Sequence, residues 1–255
     1  MRNLLVFFII LGFQIMELRA QPLPTAIVDS TKKFPSNAVC QLIVKRKGVK
    51  SLWMWNTVNQ STGFYIDSNM LLTNAHNLYS NFWSRVISIE VYRGRNGDVF
   101  PFLSDTVLGR KEVKKCVRVC DKYRFMMRAE NRARYDYAVA YVNPKEKPDN
   151  PLELNFSTSL LFEGRKVQVI GYPGEAKSGK DQYQSTGKYY GETKWNIYYD
   201  LFTETGNSGS PVILNNQGET VAVGIHAFTG KGVRISQKVM EDINWWKQEL
   251  STPND

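Results

Sequence analysis

Along most of the chain, apolar and polar residues alternate with a period of two. The runs AVCQLIVKR (38–46), TGFYID (62–67), MLLTNA (70–75), VISIEVYR (86–93) and YAVAYV (137–142) do so in the first half. KVQVIGY (166–172), NIYYDLF (196–202), PVILN (211–215) and TVAVGIHAF (220–228) do so in the second. Each run is short, rich in Val, Ile, Tyr and Phe, and closed by Gly, Asn, Pro or Lys. This pattern suits strands that bury one face. Short strands at regular spacing predict an all-β fold, either barrel or sandwich. The period changes only near the end. There Ile235, Val239, Ile243, Trp246 and Leu250 recur every three or four residues. That spacing predicts one C-terminal helix, SQKVMEDINWWKQEL (236–250), laying an apolar stripe on the β core.

The stretch 144–154, within NPKEKPDNPLEL, is rich in proline and mixed charge and reads as a linker. It divides the chain into an N-terminal half, 35–143, and a C-terminal half, 155–235, each large enough for its own core. Residues 21–34 would be an N-terminal segment or a short propeptide.

Composition refines this picture. The chain has 255 residues, 42% hydrophobic and 13% aromatic, which excludes a disordered chain. Arg2 followed by the apolar run Leu4 to Phe13 predicts a secretory signal peptide over 1–20 and a secreted protein. A signal anchor is the alternative. No later segment is apolar enough to cross a membrane. The formal charge is +9, and much of the excess lies in 110–134, where ten Lys or Arg meet three acidic residues. One reading of that segment is a solvated loop or edge hairpin. The other is a surface for anionic partners. No nucleic-acid fold signature accompanies it, so no specific nucleic acid is expected as a partner.

Three cysteines, Cys40, Cys116 and Cys120, argue against a disulfide scaffold and a four-cysteine zinc site. Cys116 and Cys120 are close enough in sequence for a local bridge. With only His76 and His226 as histidines, neither a metal nor a cofactor is predicted. Asn59 and Asn155 sit in glycosylation acceptor sequences.

The chemistry begins at TETGNSGSPV (203–212), where small residues crowd around Ser208. A serine is a weak nucleophile and needs a base. His76 follows the strand MLLTNA and so stands at a strand end. His226 lies within an apolar strand and reads as a core or pocket residue. The base in turn needs a carboxylate to hold its tautomer, and Asp136 precedes the apolar strand YAVAYV. The resulting order is His76, Asp136, Ser208. An order beginning with Asp67 is the alternative, against which the β-rich pattern weighs. A nucleophile elbow fails because Ser210 stands where that motif needs glycine.

The blocks TNAHN, DYAVA and GNSGSP resemble the three catalytic blocks of trypsin-like serine proteases. GYPG (171–174), YDLFTETGNSGSPV (199–212) and GIH (224–226) bring the resemblance to the glutamyl endopeptidase, V8 protease-like branch. It runs from about residue 35 to the final helix. It implies a chymotrypsin-like fold of two six-stranded antiparallel β-barrels, with the active site between them. It implies a secreted serine endopeptidase in which His76 is the general base, Asp136 orients it and Ser208 attacks. The backbone N–H groups of Gly206 and Ser208 would form the oxyanion hole.

Phe202 stands where trypsin-type enzymes carry an aspartate, so cleavage after Lys or Arg is not expected. Thr203 and His226 match the positions that bind a substrate carboxylate, which implies a preference for Glu or Asp before the scissile bond. The expected partner is a protein or peptide substrate, and the expected state a monomer. Asn207 stands before the nucleophile as in V8-like enzymes, in place of the aspartate of the chymotrypsin activation switch, so that switch is not expected; the chain departs from the V8-like pattern in the basic insertion. The rival function is a catalytically silent relative that binds anionic surfaces through 110–134.

Overall fold

The computed structural model describes residues 25–27, 30–50, 53–81, 84–102, 106–125, 129–157, 160–174, 179–216 and 218–251. The signal-peptide expectation for 1–20 lies outside these residues. After β1 (Thr25–Ala26) the chain builds a first lobe. Its elements are β2 (Val39–Lys50), β3 (Trp53–Asp67), β4 (Met70–Thr73), α1 (Ala75–Leu78), β5 (Ser84–Arg93), β6 (Thr106–Gly109), α2 (Arg110–Cys116), β7 (Val117–Val119), α3 (Asp121–Phe125), α4 (Ala129–Arg132) and β8 (Ala138–Tyr141). The second lobe holds β9 (Glu153–Leu154), β10 (Lys166–Gly171), β11 (Tyr183–Glu192), β12 (Asn196–Asp200), β13 (Pro211–Asn216), β14 (Glu219–Phe228) and β15 (Lys231–Arg234), and the chain ends in α5 (Gln237–Ser251).

The fold is all-β and chymotrypsin-like, with one sheet in each lobe, antiparallel but for the short strand β9. The first sheet runs β6-β5-β2-β3-β4-β8-β7. In the second, β11-β10-β13-β14-β15-β12 closes into a six-stranded ring through an added β11–β12 pairing. β1 extends this sheet at β11. β9, at the end of the segment expected to be a linker, joins β14 in parallel. The β-period runs bury their apolar faces as the alternation dictates. Leu42, Val44, Phe64, Leu72 and Val139 are buried in the first lobe, and Val169, Val212, Leu214 and Val223 in the second.

β11 was invisible as a strand because its sequence, YQSTGKYYGE, is polar and glycine-broken. Gly187 lets it approach β12 closely, since a Cβ there would run into the carbonyl oxygen of Asp200. We expect Gly187→Ala to destabilise the fold by about 1–3 kcal/mol. Gly191→Ala on the same strand meets open space and should change little. Calorimetric melts of the two variants check this pair.

α5 carries the predicted stripe. Ile235, Val239, Ile243 and Trp246 are all at most 4% exposed. Burying such side chains contributes about 1.5–3 kcal/mol each. The helix follows the second lobe but docks on the first. Trp246 packs on Tyr137 with ring centroids 5.8 Å apart. The Tyr137 hydroxyl donates to Asp242 at 2.5 Å, and Arg118 forks onto Glu249 at 2.9 and 3.1 Å. The final helix thus ties the lobes together.

The basic segment is neither a loop nor an edge hairpin. It forms the short strand β7 and three helices of seven residues or fewer, α2, α3 and α4. Elements this short leave no periodicity to read. Cys116 and Cys120 are both free thiols, as is Cys40. β7 lies extended between the first two, which separates them by roughly 13 Å at about 3.3 Å per residue. A disulfide needs Cα atoms within about 7 Å.

Candidate active site

His76 sits on α1, a single turn that follows β4 directly. Asp136 precedes β8, which pairs with β4, Thr73 opposite Ala138. The register therefore brings the two side chains together. Asp136 is 1% exposed. One carboxylate oxygen accepts the His76 backbone N–H at 2.8 Å, and the other lies 2.7 Å from His76 Nδ1. A carboxylate only accepts. Nδ1 therefore carries the proton, and Nε2 presents its lone pair. Asn74 donates to the Asp136 carbonyl at 2.9 Å, which fixes the acid's backbone as well. Arg46 closes the other end of the turn, donating to the carbonyls of His76, Asn77 and Tyr79 at 3.1, 2.7 and 2.8 Å. These are the orphan acceptors of a one-turn helix.

Asp67, the alternative acid, is engaged elsewhere. It accepts from the Ser68 backbone N–H at 2.6 Å and pairs with Lys247.

Ser208 lies on the loop before β13 and is clasped from the first lobe. Its carbonyl accepts the Thr62 N–H at 2.9 Å and the Asn77 side-chain amide at 3.0 Å. Asn77 is the residue after His76, so one side chain links the histidine turn to the serine loop. Thr62 Oγ1 donates to the Gly206 carbonyl at 2.8 Å and accepts the Tyr172 N–H at 3.0 Å. Ser208 Oγ donates to the Ala227 carbonyl at 3.3 Å. Phe228, next along β14, stacks against the His76 ring with centroids 6.1 Å apart. The His76 ring thus lies against Phe228 and the Ser208 hydroxyl on the neighbouring Ala227, with no hydrogen bond between His76 and Ser208 among the described residues.

Two glycines permit the loop's path. Gly206 has φ +99° and Gly209 φ +92°, the region only glycine enters freely. A Cβ at Gly206 would strike the Tyr172 carbonyl oxygen, and one at Gly209 the Thr62 carbonyl oxygen. Neither the Gly206 nor the Ser208 N–H donates to an acceptor among the described residues. Two free donors on one loop can receive an anionic oxygen.

Thr203, five residues before the serine, is buried, and so is His226, whose backbone bonds to Gly209 and Ser210. Thr203 Oγ1 has no hydrogen-bond partner among the described residues. His226 Nδ1 lies 2.6 Å from the Tyr199 hydroxyl. Tyr199 is fully buried, and burial raises its pKa well above the ordinary value, so it keeps its proton. That hydroxyl has no other described acceptor, so it donates to Nδ1 and leaves the His226 proton on Nε2. Burial, helped by the nearby His76, pushes the His226 pKa down to about 3. Sequence reasoning assigned no role in the site to Thr62, nor to Asn77 and Tyr199 within the quoted blocks, because each acts through a contact distant along the chain.

The low pKa of His226 has a consequence for stability. The unfolded histidine takes a proton below about pH 6.5, whereas the folded one resists it until about 3. Its contribution is fully present above about pH 6.5 and is lost as pH falls toward 3. The melting temperature should therefore fall more steeply across this window in the native protein than in His226→Gln. Thermal melts in a pH series check it.

The trypsin-like peptidase domain matches residues 61–223 of this chain, a span that holds His76, Asp136, Thr203 and Ser208. The chain belongs to the trypsin-like peptidase family. It is a serine endopeptidase. The peptidase is 25% identical over 231 residues to a Bacillus subtilis (strain 168) protein called extracellular metalloprotease, covering 87% of this chain and 67% of that one. Its fold is that of a Glu endopeptidase solved in complex with MPD, at TM-score 0.65 and 23% identity, over 88% of this chain and 96% of that one. A thermostable serine protease, AL20, from an extremophilic microorganism superposes at TM-score 0.61 and 11% identity, over 85% and 99% of the two chains.

Proposed function

We propose that the peptidase cleaves polypeptides through an acyl-enzyme on Ser208 and prefers Glu, with Asp second, before the scissile bond. The observation that carries the mechanism is the double grip of Asp136 on His76, which leaves Nε2 as the base. His76 Nε2 takes the Ser208 proton as Oγ bonds to the substrate carbonyl carbon. The carbonyl electron pair moves to its oxygen, which the Gly206 and Ser208 N–H groups receive. As the carbon–nitrogen bond breaks, the imidazolium returns the proton to the leaving amine. Water then repeats the sequence and releases the acid. Asp136 stays ionised and holds the imidazolium.

The acidic preference rests on two donors without assigned acceptors, the Thr203 hydroxyl and the His226 Nε2–H. Both are neutral and buried, and both suit a carboxylate. Phe202 brings no negative charge to attract Lys or Arg. A hydrogen bond to a charged group contributes about 1.5–3 kcal/mol. Thr203→Val and His226→Gln should therefore each lower the Glu-to-Gln ratio of kcat/KM by roughly tenfold or more. A positional peptide library run on the purified protein and both variants tests this. Preference for Arg or Phe would refute the specificity and leave the mechanism standing. Export from the cell belongs to the same reading. Its support is the basic-then-apolar run over 1–20 and the extracellular name of the Bacillus subtilis relative. No helix among the described residues is long and apolar enough to cross a membrane.

A further inference from the structure

The basic segment folds over one flank of the first lobe and encloses a groove of about 780 Å³. The groove opens beside the segment that leaves α1. Leu78 and Tyr79, two and three residues beyond His76, form its near wall. Its floor is apolar, with Val86 and Val113 buried beneath it. Its rim carries Arg85, Arg110, Lys114 and Arg124. No Asp or Glu is among its described lining residues. All four rim cations belong to exposed residues. Arg124 has a distant ion pair with Asp121, at 3.9 Å. Arg85, Arg110 and Lys114 have no ion pair among the described residues. Phe125, at the outer edge, is 78% exposed.

We propose that this groove is a second substrate-binding site, which captures an acidic segment with apolar side chains on a polypeptide being cleaved. The claim rests on the peptidase reading and extends it away from the scissile bond. Exposed cations around an apolar floor, three of them without an ion pair among the described residues, favour a ligand that offers both carboxylates and apolar groups. A sulfated glycan offers only the charge and would leave the floor and Phe125 uncovered. The groove begins at the turn that carries His76, so a single polypeptide chain has a short path from it to the cleft. Concentrating such substrates next to the cleft raises kcat/KM through binding, without touching the chemistry.

The site is tested with the full chain carrying Ser208→Ala, which keeps the probe intact. A short fluorescein-labelled peptide of Asp interspersed with Leu and Phe, free of Glu, is titrated by anisotropy. Arg85→Ala/Arg110→Ala/Lys114→Ala in that background should weaken binding roughly tenfold, and Phe125→Ser should weaken it separately. With Ser208 present, the triple variant should hydrolyse a short Glu peptide at the native rate, which shows an intact fold and cleft. It should lose activity on a protein substrate that carries such a segment. Because the binding assay needs no turnover, it can fail while the peptidase reading stands, and the reverse. If the triple variant does not fold, Phe125→Ser and the salt dependence of native binding decide. Equal affinity in the native and altered grooves would overturn the proposal. So would tighter capture of heparin or of anionic vesicles than of the peptide.

Discussion

Ser208→Ala should abolish peptide hydrolysis, lowering kcat by about a millionfold, as loss of a triad nucleophile does. The fold should survive. The Ser208 side chain makes one bond, to the Ala227 carbonyl at 3.3 Å. The loop is held instead by main-chain groups, through Thr62, Asn77 and the His226 N–H. Alanine keeps all of these. Any slow turnover that remains would come from binding and from the free N–H pair at Gly206 and Ser208. Thermal melts and stopped peptide assays on one preparation separate the two effects. His76→Ala should match the loss, because the two groups act as a unit and their effects do not add.

Asp136→Asn comes next in size, with an expected loss of about ten-thousandfold in kcat near neutral pH. The cause is the tautomer. Asp136 offers an acceptor to Nδ1–H and another to the His76 backbone N–H. An asparagine has one oxygen and one NH2. If the oxygen stays on the backbone N–H, the amide meets Nδ1 with a donor. The imidazole proton then shifts to Nε2, which can no longer accept from Ser208. Asp67→Asn provides the contrast. It should leave kcat unchanged, because that carboxylate is spent on Ser68 and Lys247. Steady-state kinetics on both variants measures the difference.

The parts of the site that were legible in the sequence are those built from short contiguous blocks. Ser208 announced itself through its small neighbours, His76 through its place at a strand end, and Asp136 through the apolar strand behind it. The structure joins His76 to Asp136 directly and binds the backbone of His226 to Gly209 and Ser210, the two residues after Ser208. What the sequence hid were contacts between distant segments. Thr62 was one polar residue in an alternating run, and its clasp on Gly206 spans the two lobes. Asn77 closed the block TNAHN with no role of its own, although its amide links the histidine turn to the serine loop. Tyr199 read as strand filler, yet it fixes the tautomer of His226.

The same physics governs the fold. Apolar strands were visible as short runs rich in Val, Leu, Ile and Ala, as β4, β8 and β14 were, although each of these is buried on both faces. β11 was hidden because a polar strand with glycines shows no alternation, and its place depends on β10 and β12 on either side. The 110–134 segment was misread for a related reason. One- and two-turn helices rich in Lys and Arg lack the length to display a period; α2 packs on β5, β6, β7 and β8, and α3 sets Tyr123 against Tyr79.

The most direct measurement is covalent labelling by a fluorophosphonate, followed by peptide mapping. One adduct is expected, on Ser208, forming in the native protein and lost in His76→Ala. An adduct on any other residue, or labelling of His76→Ala at the native rate, would contradict the assignment of Ser208 as the nucleophile activated by His76.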